Sequence, residues 1–320
     1  MTMSVFFTLT LFALGFYILI KGANLLISGA TSLAHLFGLS PWFIGVVIVG
    51  IGTSIPEFSI NVASVFEGNN IGLATIIGSN TFNILFILGI SALFAPLVFK
   101  RSWIVYDLPI NMFAVLVVAA LITMSGAGSG EAGLSRADGF FLVTLLVLWI
   151  LFMLRRKQVM EYSLDTKGFS WVVSVALMSA GLVGVFLGGK WIVDGAEVIA
   201  IMLGVSPALI GFTVVAIGTS VPELAVSIVA VTKRQTTIAI GNIIGSNVFD
   251  FLGILGITAL MKPIVVRESL QFDIFAAFGA TLILMLSALL FGRRFTISRT
   301  EGAIFVALYL AYFAFLFIRG

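Results

Sequence analysis

The chain has 320 residues, of which 60% are hydrophobic and 10% charged, with 30 phenylalanines and no cysteine. Soluble domains have about 25% charged residues, so a mean hydropathy of +1.21 excludes that class. The net charge of +3 does not indicate nucleic-acid binding, because the basic residues lie in short loops rather than on one face. The absence of cysteine excludes disulfides and thiolate metal sites. The composition predicts an all-α polytopic membrane protein.

The apolar runs predict about ten transmembrane helices and no soluble domain, at about 20 residues per span. The polar stretch 156–168 is then a cytoplasmic linker between two halves, 1–155 and 169–320. The first apolar run lacks the basic flank of a signal peptide and is expected to be a first transmembrane helix. The ten helices are placed at residues 4–28, 41–66, 70–97, 103–125, 137–155, 169–194, 207–231, 236–263, 271–291 and 301–319.

Basic residues are unevenly distributed between the predicted loops. If ten helices alternate in direction, the loops after the third, fifth, seventh and ninth share one side and hold eleven of the 17 Lys and Arg residues. Cytoplasmic loops of membrane proteins carry such an excess. We therefore expect that side to be cytoplasmic, in a cell membrane, with both termini extracellular.

The two halves repeat one another, at an offset of 166 residues for the best-matched motif. Residues 52–57 (Gly-Thr-Ser-Ile-Pro-Glu) recur as 218–223 (Gly-Thr-Ser-Val-Pro-Glu), and residues 76–80 (Ile-Ile-Gly-Ser-Asn) recur as 243–247 after a one-residue shift. Because five helices per half is an odd number, the second half must enter the membrane from the opposite side. Inverted repeats are typical of secondary transporters whose substrate site lies where broken helices meet.

Each copy of the motif puts a proline and a glutamate in the middle of an apolar helix. Pro56 and Pro222 remove a backbone N–H, so we expect them to release the carbonyls around Gly52 and Gly218. Free carbonyls and carboxylates within a membrane are tolerated where they line a cavity or meet a ligand. The carboxylates indicate that this ligand is a cation.

Oxygen-bearing side chains recur four residues apart on four predicted helices, so each pair shares a helix face. An all-oxygen set suits hard cations such as Ca²⁺ and Na⁺, and disfavours zinc, copper and iron. The three carboxylates have a formal charge of −3, which one Ca²⁺ plus a proton on Asp250, or three Na⁺, would neutralise. This balance predicts competition between ions at one site. The candidate ligands are Glu57, Glu223, Asp250, Thr53, Ser54, Thr219, Ser220, Ser79, Ser246 and Asn83.

The duplicated Gly-Thr-Ser-x-Pro-Glu, each copy followed about twenty residues on by Gly-Ser-Asn, resembles the two alpha repeats of the sodium/calcium exchanger family. The resemblance covers the whole chain. It implies that Glu57 and Glu223 are central carboxylates shared by Ca²⁺ and Na⁺, with the six hydroxyls completing the Na⁺ sites. Asn83 and Asp250 would line the middle.

The resemblance further implies ligand oxygens from the backbone near Gly50 and Ala216, and sliding of the first and sixth helices to open alternate sides. A regulatory domain like that of the animal exchangers is not expected within the chain. One position differs between the halves, because Thr75 stands where the second repeat has Asn242. Any role of Asn242 is therefore open at this stage.

The expected activity is antiport of Ca²⁺ against Na⁺ by alternating access, with no cofactor, no nucleic acid and no obligate protein partner. Ca²⁺/H⁺ exchange by the same carboxylates is the alternative, although proton-coupled exchangers of the superfamily typically have Gly-Asn-x-x-Glu at this motif. A hydrolase using Ser54 or Ser220 needs a base within reach, and His35 is the only histidine. A channel is disfavoured because full carboxylates would hold cations too tightly.

Other residues have structural interpretations. Asp107 and Asp273 match across the repeat and are expected to cap helices or lie at the interface. Asp138 and Glu301 fall in first helical turns, where the helix dipole favours acids. The glycines expected to serve helix packing are Gly78, Gly89, Gly241 and Gly245.

Four charged residues lie on or beside the first and sixth predicted helices. Asp194 and Glu197 either attract cations at an outer vestibule or belong to a solvated helix end, which is the default. Lys21 and Lys190 are expected to extend their ammonium groups towards the interface.

Overall fold

The structure is a computed structural model that describes residues 2–68, 71–129, 132–156, 168–204, 216–266, 270–292 and 294–319. Within these residues, eight helices are long and apolar enough to cross a membrane, and the count is nine if one pair of helices bent by 42° is taken as a single broken span. The seventh predicted helix, 207–231, is partly outside the described residues, as is nearly all of the predicted linker. The all-α, multi-span prediction is confirmed, and the count of ten stays a prediction.

The elements of the first half alternate long helices with two short strands. They are α1 (Thr2–Phe37), α2 (Pro41–Thr53), α3 (Ile55–Glu67), α4 (Ile71–Phe94), β1 (Leu97–Val98), α5 (a π-helical turn at Trp103–Asp107, then Leu108–Ser129), β2 (Gly133–Leu134) and α6 (Arg136–Arg155).

The second half has the same order. Its elements are α7 (Trp171–Met202), α8 (Ala216–Gly218), α9 (Val221–Thr232), α10 (Thr236–Met261), β3 (Ile264–Val265), α11 (Gln271–Leu290), β4 (Thr296–Ile297) and α12 (Arg299–Arg319).

Two short antiparallel ladders join the halves. Leu97 of β1 pairs with Ile297 of β4, and Gly133 of β2 pairs with Val265 of β3. Because the single helix α5 separates β1 from β2, the ladders lie at opposite ends of the helix bundle. The equivalent strands β1 and β3 therefore lie at opposite ends of the bundle, as do β2 and β4, which is the arrangement of an inverted repeat. We refer to them as the β1–β4 end and the β2–β3 end.

The first and sixth predicted helices are longer than expected. α1 ends at Phe37 rather than residue 28, and α7 ends at Met202 rather than residue 194. The helices end where Gly38 and Gly204 adopt positive φ angles of 62° and 76°, a backbone conformation that glycine adopts without steric cost. Gly29, near the predicted end of α1, instead lies within the helix and faces α7.

α1 and α7 lie side by side through their glycines. A Cβ on Gly22 would come within 2.6 Å of the Val185 backbone nitrogen, and one on Gly15 within 2.9 Å of the Gly188 carbonyl oxygen. Such small-residue contacts allow membrane helices to approach closely. The two long helices are thus joined along much of their length, one from each half.

α2 and α10 are also in backbone contact. A Cβ on Gly50 would lie 2.8 Å from the Ser246 nitrogen, and one on Gly241 would lie 3.1 Å from the Val46 nitrogen. Gly245 is closer still to the Val46 backbone, and Gly89 faces α12. The packing roles of Gly241, Gly245 and Gly89 are confirmed, whereas a Cβ on Gly78 would meet no described atom of another element within 4 Å.

The helix-end acids divide into two groups. Ser135 and Asp138 form a reciprocal capping box at the start of α6, and Glu301 accepts hydrogen bonds from the backbone nitrogen and the hydroxyl of Ser298 at 2.7 Å. Both predictions are confirmed. Asp107 is not a cap; it is buried, and Arg156 donates to both of its carboxylate oxygens at 2.9 Å.

Candidate cation site

The two repeated motifs form matching breaks between helices. α2 and α3 meet at an angle of 42°, and Ser54 at the junction has φ −81° and ψ 9°. Ser220, between α8 and α9, has nearly the same angles, φ −91° and ψ 5°. Pro56 and Pro222 lie in the first turns of α3 and α9, where proline costs no hydrogen bond. The helix breaks are as predicted, but each proline is the second residue of a new helix rather than a distortion within a continuous one.

Each break buries a glutamate in the first turn of the following helix. Glu57 is 2% exposed and Glu223 is 1% exposed. Ser220 donates a long hydrogen bond of 3.5 Å to Glu57 Oε1, and Thr219 lies beside the same carboxyl group. Within the described residues, Glu57 Oε2 and both carboxylate oxygens of Glu223 accept no hydrogen bond.

These carboxylates are not neutralised by bases. The ion pairs formed within the described ranges join Arg156 to Asp107 and Lys190 to Asp194, and neither reaches the glutamates. Glu57 is near enough to Glu223 and Asp250 to be repelled by both. Buried, unpaired carboxylates are costly, so this arrangement favours binding of a cation.

Hydroxyl and carbonyl oxygens surround the Glu223 side of the site. The Thr53 hydroxyl donates to the Gly50 carbonyl at 3.2 Å, and the Ser246 hydroxyl donates to the same carbonyl at 3.0 Å. The side chains of Thr53, Ser54 and Ser246 lie beside the Glu223 carboxyl group. The close contact of α2 with α10 therefore brings ligand atoms of both halves together.

Asp250 lies at the start of a π-helical turn, Phe249–Ile254, in α10. Its Oδ2 accepts hydrogen bonds from Asn80 Nδ2 at 2.9 Å and from the Ser79 hydroxyl at 3.5 Å, whereas Oδ1 has no partner in the described part of the chain. The equivalent turn in α4, Phe82–Ile87, holds the repeat mate Asn83. π-helical turns are frequent at functional sites.

Asn83 is buried and in contact with the second repeat. Its amide nitrogen donates to Asn247 Oδ1 at 3.0 Å, and its own Oδ1 accepts no hydrogen bond from the described residues. Ala216 begins the three-residue helix α8, just before Thr219.

Sequence reasoning left the role of one buried asparagine, Asn242, open and missed three others, Asn61, Asn80 and Asn247. Asn242 Oδ1 lies 3.1 Å from the Thr53 hydroxyl and shares its single hydrogen with the Gly50 carbonyl, and Asn242 Nδ2 donates to the Glu223 carbonyl at 3.3 Å, so Asn242 bridges the two glutamate segments. Asn80 and Asn247 belong to the repeated Gly-Ser-Asn motif, and that repetition was the available signal. Asn61, four residues after Glu57, is fully buried without a hydrogen-bond partner among described atoms. The four-residue spacing used for the other ligands applies to it as well.

The oxygen atoms that could bind a cation come from several kinds of group, not from carboxylates alone. No three acidic or histidine side chains in the described residues form a metal-binding cluster. A cation here would bind carboxylate oxygens together with hydroxyl, amide and carbonyl oxygens, a set suited to Ca²⁺ and Na⁺.

Buried oxygens on two broken helices, within a bundle of membrane-spanning helices in inverted repeats, define a secondary transporter of cations. A family model described as sodium/calcium exchanger protein matches residues 7–155 and 173–318. The chain belongs to the sodium/calcium exchanger family. It is therefore a multi-pass membrane antiporter and not an enzyme, and antiport of this kind requires no cofactor.

Individual relatives are membrane proteins, among them antiporters. The chain is 35% identical over 272 residues to the inner membrane protein YrbG of Escherichia coli K12, covering 79% of each chain. It is 32% identical to the putative antiporter CaxA of Alkalimonas amylolytica, covering 96% of this chain and 98% of that one. A solved structure of the sodium-calcium exchanger NCX_Mj, soaked with Na⁺ and Sr²⁺, matches with a TM-score of 0.82 and 29% identity, covering 97% and 98% of the two chains.

Proposed function

We propose that the protein moves Ca²⁺ across the membrane in exchange for Na⁺, at a single site between the two halves. The observation that carries this proposal is the pair of buried glutamates, Glu57 and Glu223, which face oxygen donors and no base. Two negative charges at this position suit either one divalent cation or more than one monovalent cation, and mutually exclusive occupancy is what exchange requires.

The proposed ligands fall into three groups. Glu57 and Glu223 bind Ca²⁺ and Na⁺ in turn, and Asp250 carries charge at the centre. The backbone oxygens of Gly50 and Ala216 join them. The remaining ligands are the hydroxyls of Thr53, Ser54, Thr219, Ser220, Ser79 and Ser246 and the amide of Asn83.

Alternating access is supported by the long helix pair. α1 lies against α9 towards the β1–β4 end, whereas a cavity separates α7 from α3 towards the β2–β3 end. Because α1 and α7 are in close contact through their glycines, they would slide together, closing one route as the other opens.

The proposed halves are residues 1–155 and 169–320, with a linker at 156–168. The family match is interrupted between residues 155 and 173, which agrees with this division. For orientation, the β1–β4 end carries Lys100, Arg101, Arg155 and Arg156. We assign that end to the cytoplasm of a cell membrane and both termini to the outside.

The test is uptake of ⁴⁵Ca²⁺ into proteoliposomes of the purified protein. Vesicles loaded with Na⁺ and diluted into Na⁺-free buffer should accumulate Ca²⁺, and vesicles with equal Na⁺ on both sides should not. Uptake driven only by a pH gradient would make the protein a proton exchanger. Accumulation of Ca²⁺ with neither a Na⁺ gradient nor a pH gradient would contradict the proposal of exchange. If no Ca²⁺ enters under any condition, Ca²⁺ is not a substrate.

A further inference from the structure

A cavity of about 360 Å³ lies between α3, α7 and the start of α9. Most of its wall is apolar, and its inner end is formed by Pro56, Thr219 and Pro222 of the repeated motifs. Thr219 lies beside the Glu57 carboxyl group. The cavity therefore leads to the candidate cation site.

Two charged side chains line this cavity, both from α7. Lys190 Nζ and Asp194 Oδ2 are 2.8 Å apart, one helical turn from each other, and the side chains are 67% and 44% exposed. An ion pair this exposed contributes little to stability, so it opens readily. Apolar walls concentrate the field of the carboxylate along the cavity.

The equivalent positions in the first half carry no charged side chain. The repeat mates of Lys190 and Asp194, 166 residues earlier, are Asn24 and Ser28 on α1. There Lys233, from the end of α9, donates to the Asn24 carbonyl and the Ser28 hydroxyl, each at 3.3 Å. Only the α7 route, among the described residues, has a carboxylate at this depth.

We propose that Asp194 is an entry site for the transported cation and that Lys190 is its built-in competitor. An arriving divalent cation displaces the Lys190 ammonium from Asp194 and then passes Thr219 to reach Glu57. Lys190 thereby sets the apparent affinity for Ca²⁺ on one side of the membrane only. This inference rests on the proposed function and adds a residue pair that acts before the central site.

The transport test uses right-side-out and everted vesicles from a bacterial host, which expose opposite ends of the protein to the bath. Lys190→Met removes the competitor and should lower the KM for Ca²⁺ about three- to tenfold on the cavity side at low ionic strength. The difference should shrink in high salt, where exposed charges are screened. Asp194→Asn should raise the same KM. Lys190→Arg keeps the charge and should behave as the wild type.

Lys21→Met is the matched control, because Lys21 is an exposed lysine on the partner helix α1 and does not line the cavity. It should leave the KM unchanged on both sides. Equal shifts in Lys190→Met and Lys21→Met, equal shifts on both sides of the membrane, or no shift in Lys190→Met would overturn the proposal. The last result is expected if Lys190 only extends to the membrane interface.

A second measurement does not depend on transport. The purified protein is treated with an amine-reactive reagent, and modification of Lys190 and Lys21 is measured by peptide mass spectrometry. Ca²⁺ should increase the labelling of Lys190 several-fold over that of Lys21, and Asp194→Asn should abolish the increase. If labelling of Lys190 does not respond to Ca²⁺, the proposed entry site is contradicted. If labelling responds to Ca²⁺ but Na⁺ drives no Ca²⁺ uptake, only the proposed exchange is contradicted.

Discussion

The two routes to the glutamates differ, although they are built from repeated sequences. Towards the β1–β4 end, α1 lies against α9, with Lys233 bound to Asn24 and Ser28 and with Thr31 donating to Gln235 at 3.1 Å. Towards the β2–β3 end, the equivalent helices α7 and α3 are separated by the cavity. A conformation that opens only one of two repeated routes breaks the symmetry of the inverted repeat, and this structure does so by closing one route and opening the other.

The largest expected effect comes from the carboxylates on which both routes converge. Glu57→Gln or Glu223→Gln removes a charge that no described base compensates, so cation binding should be lost. We expect Na⁺-driven ⁴⁵Ca²⁺ uptake to fall to the level of protein-free liposomes, with an unchanged elution profile in size-exclusion chromatography. Glu67→Gln, at the exposed end of the same α3, is the control and should retain uptake. Full activity of either site variant would remove that glutamate from the mechanism.

A pair of single-cysteine variants tests the difference between the routes directly. Ser59 lines the open cavity, and its repeat mate Ala225 on α9 is buried. Because the chain has no native cysteine, Ser59→Cys and Ala225→Cys can be labelled without background. In purified protein, Ala225→Cys should react at least about tenfold more slowly with a polar thiol reagent, a difference of about 1.4 kcal/mol in the free energy of exposure. Equal rates would mean that the two routes are equally open.

The close contact between α1 and α7 can be tested by adding one methyl group to α1. Gly22→Ala puts a Cβ within 2.6 Å of the Val185 nitrogen in α7. Because the contact is with helix backbone rather than with a flexible side chain, it can be relieved only if one helix shifts. Overpacking of this kind costs about 1–3 kcal/mol, so the melting temperature and the transport rate should both fall. Gly279→Ala in α11, where no described atom lies within 4 Å, is the matched control and should not destabilise the protein. A Gly22→Ala protein as stable as the wild type would contradict close α1–α7 contact.

The sequence predicted the bundle, its inversion and the helix breaks because these follow from apolar runs, repetition and proline. It did not predict where α1 and α7 end, since Gly29 and Gly195 resemble helix ends when their contacts with the neighbouring helix are unknown. The role of Asn242 stayed open for a related reason. Its partners Thr53 and Glu223 come from different halves, and a contact between halves has no local signal in the chain.

The smallest effect is expected at the closed contact itself. Lys233→Met keeps the aliphatic stem but removes the hydrogen bonds to Asn24 and Ser28, each worth about 1.5–3 kcal/mol at most because a charged donor is involved. Lys233 is partly exposed, so most of that value is offset by hydration of the freed groups. We therefore expect labelling of Ala225→Cys to rise only a few-fold in the Lys233→Met background. Lys100→Met, at the same end of the bundle but outside this contact, should leave the labelling rate unchanged. If Lys233→Met also has no effect, the closed route is held by apolar packing of α1 against α9 alone, and the asymmetry between the routes does not depend on Lys233.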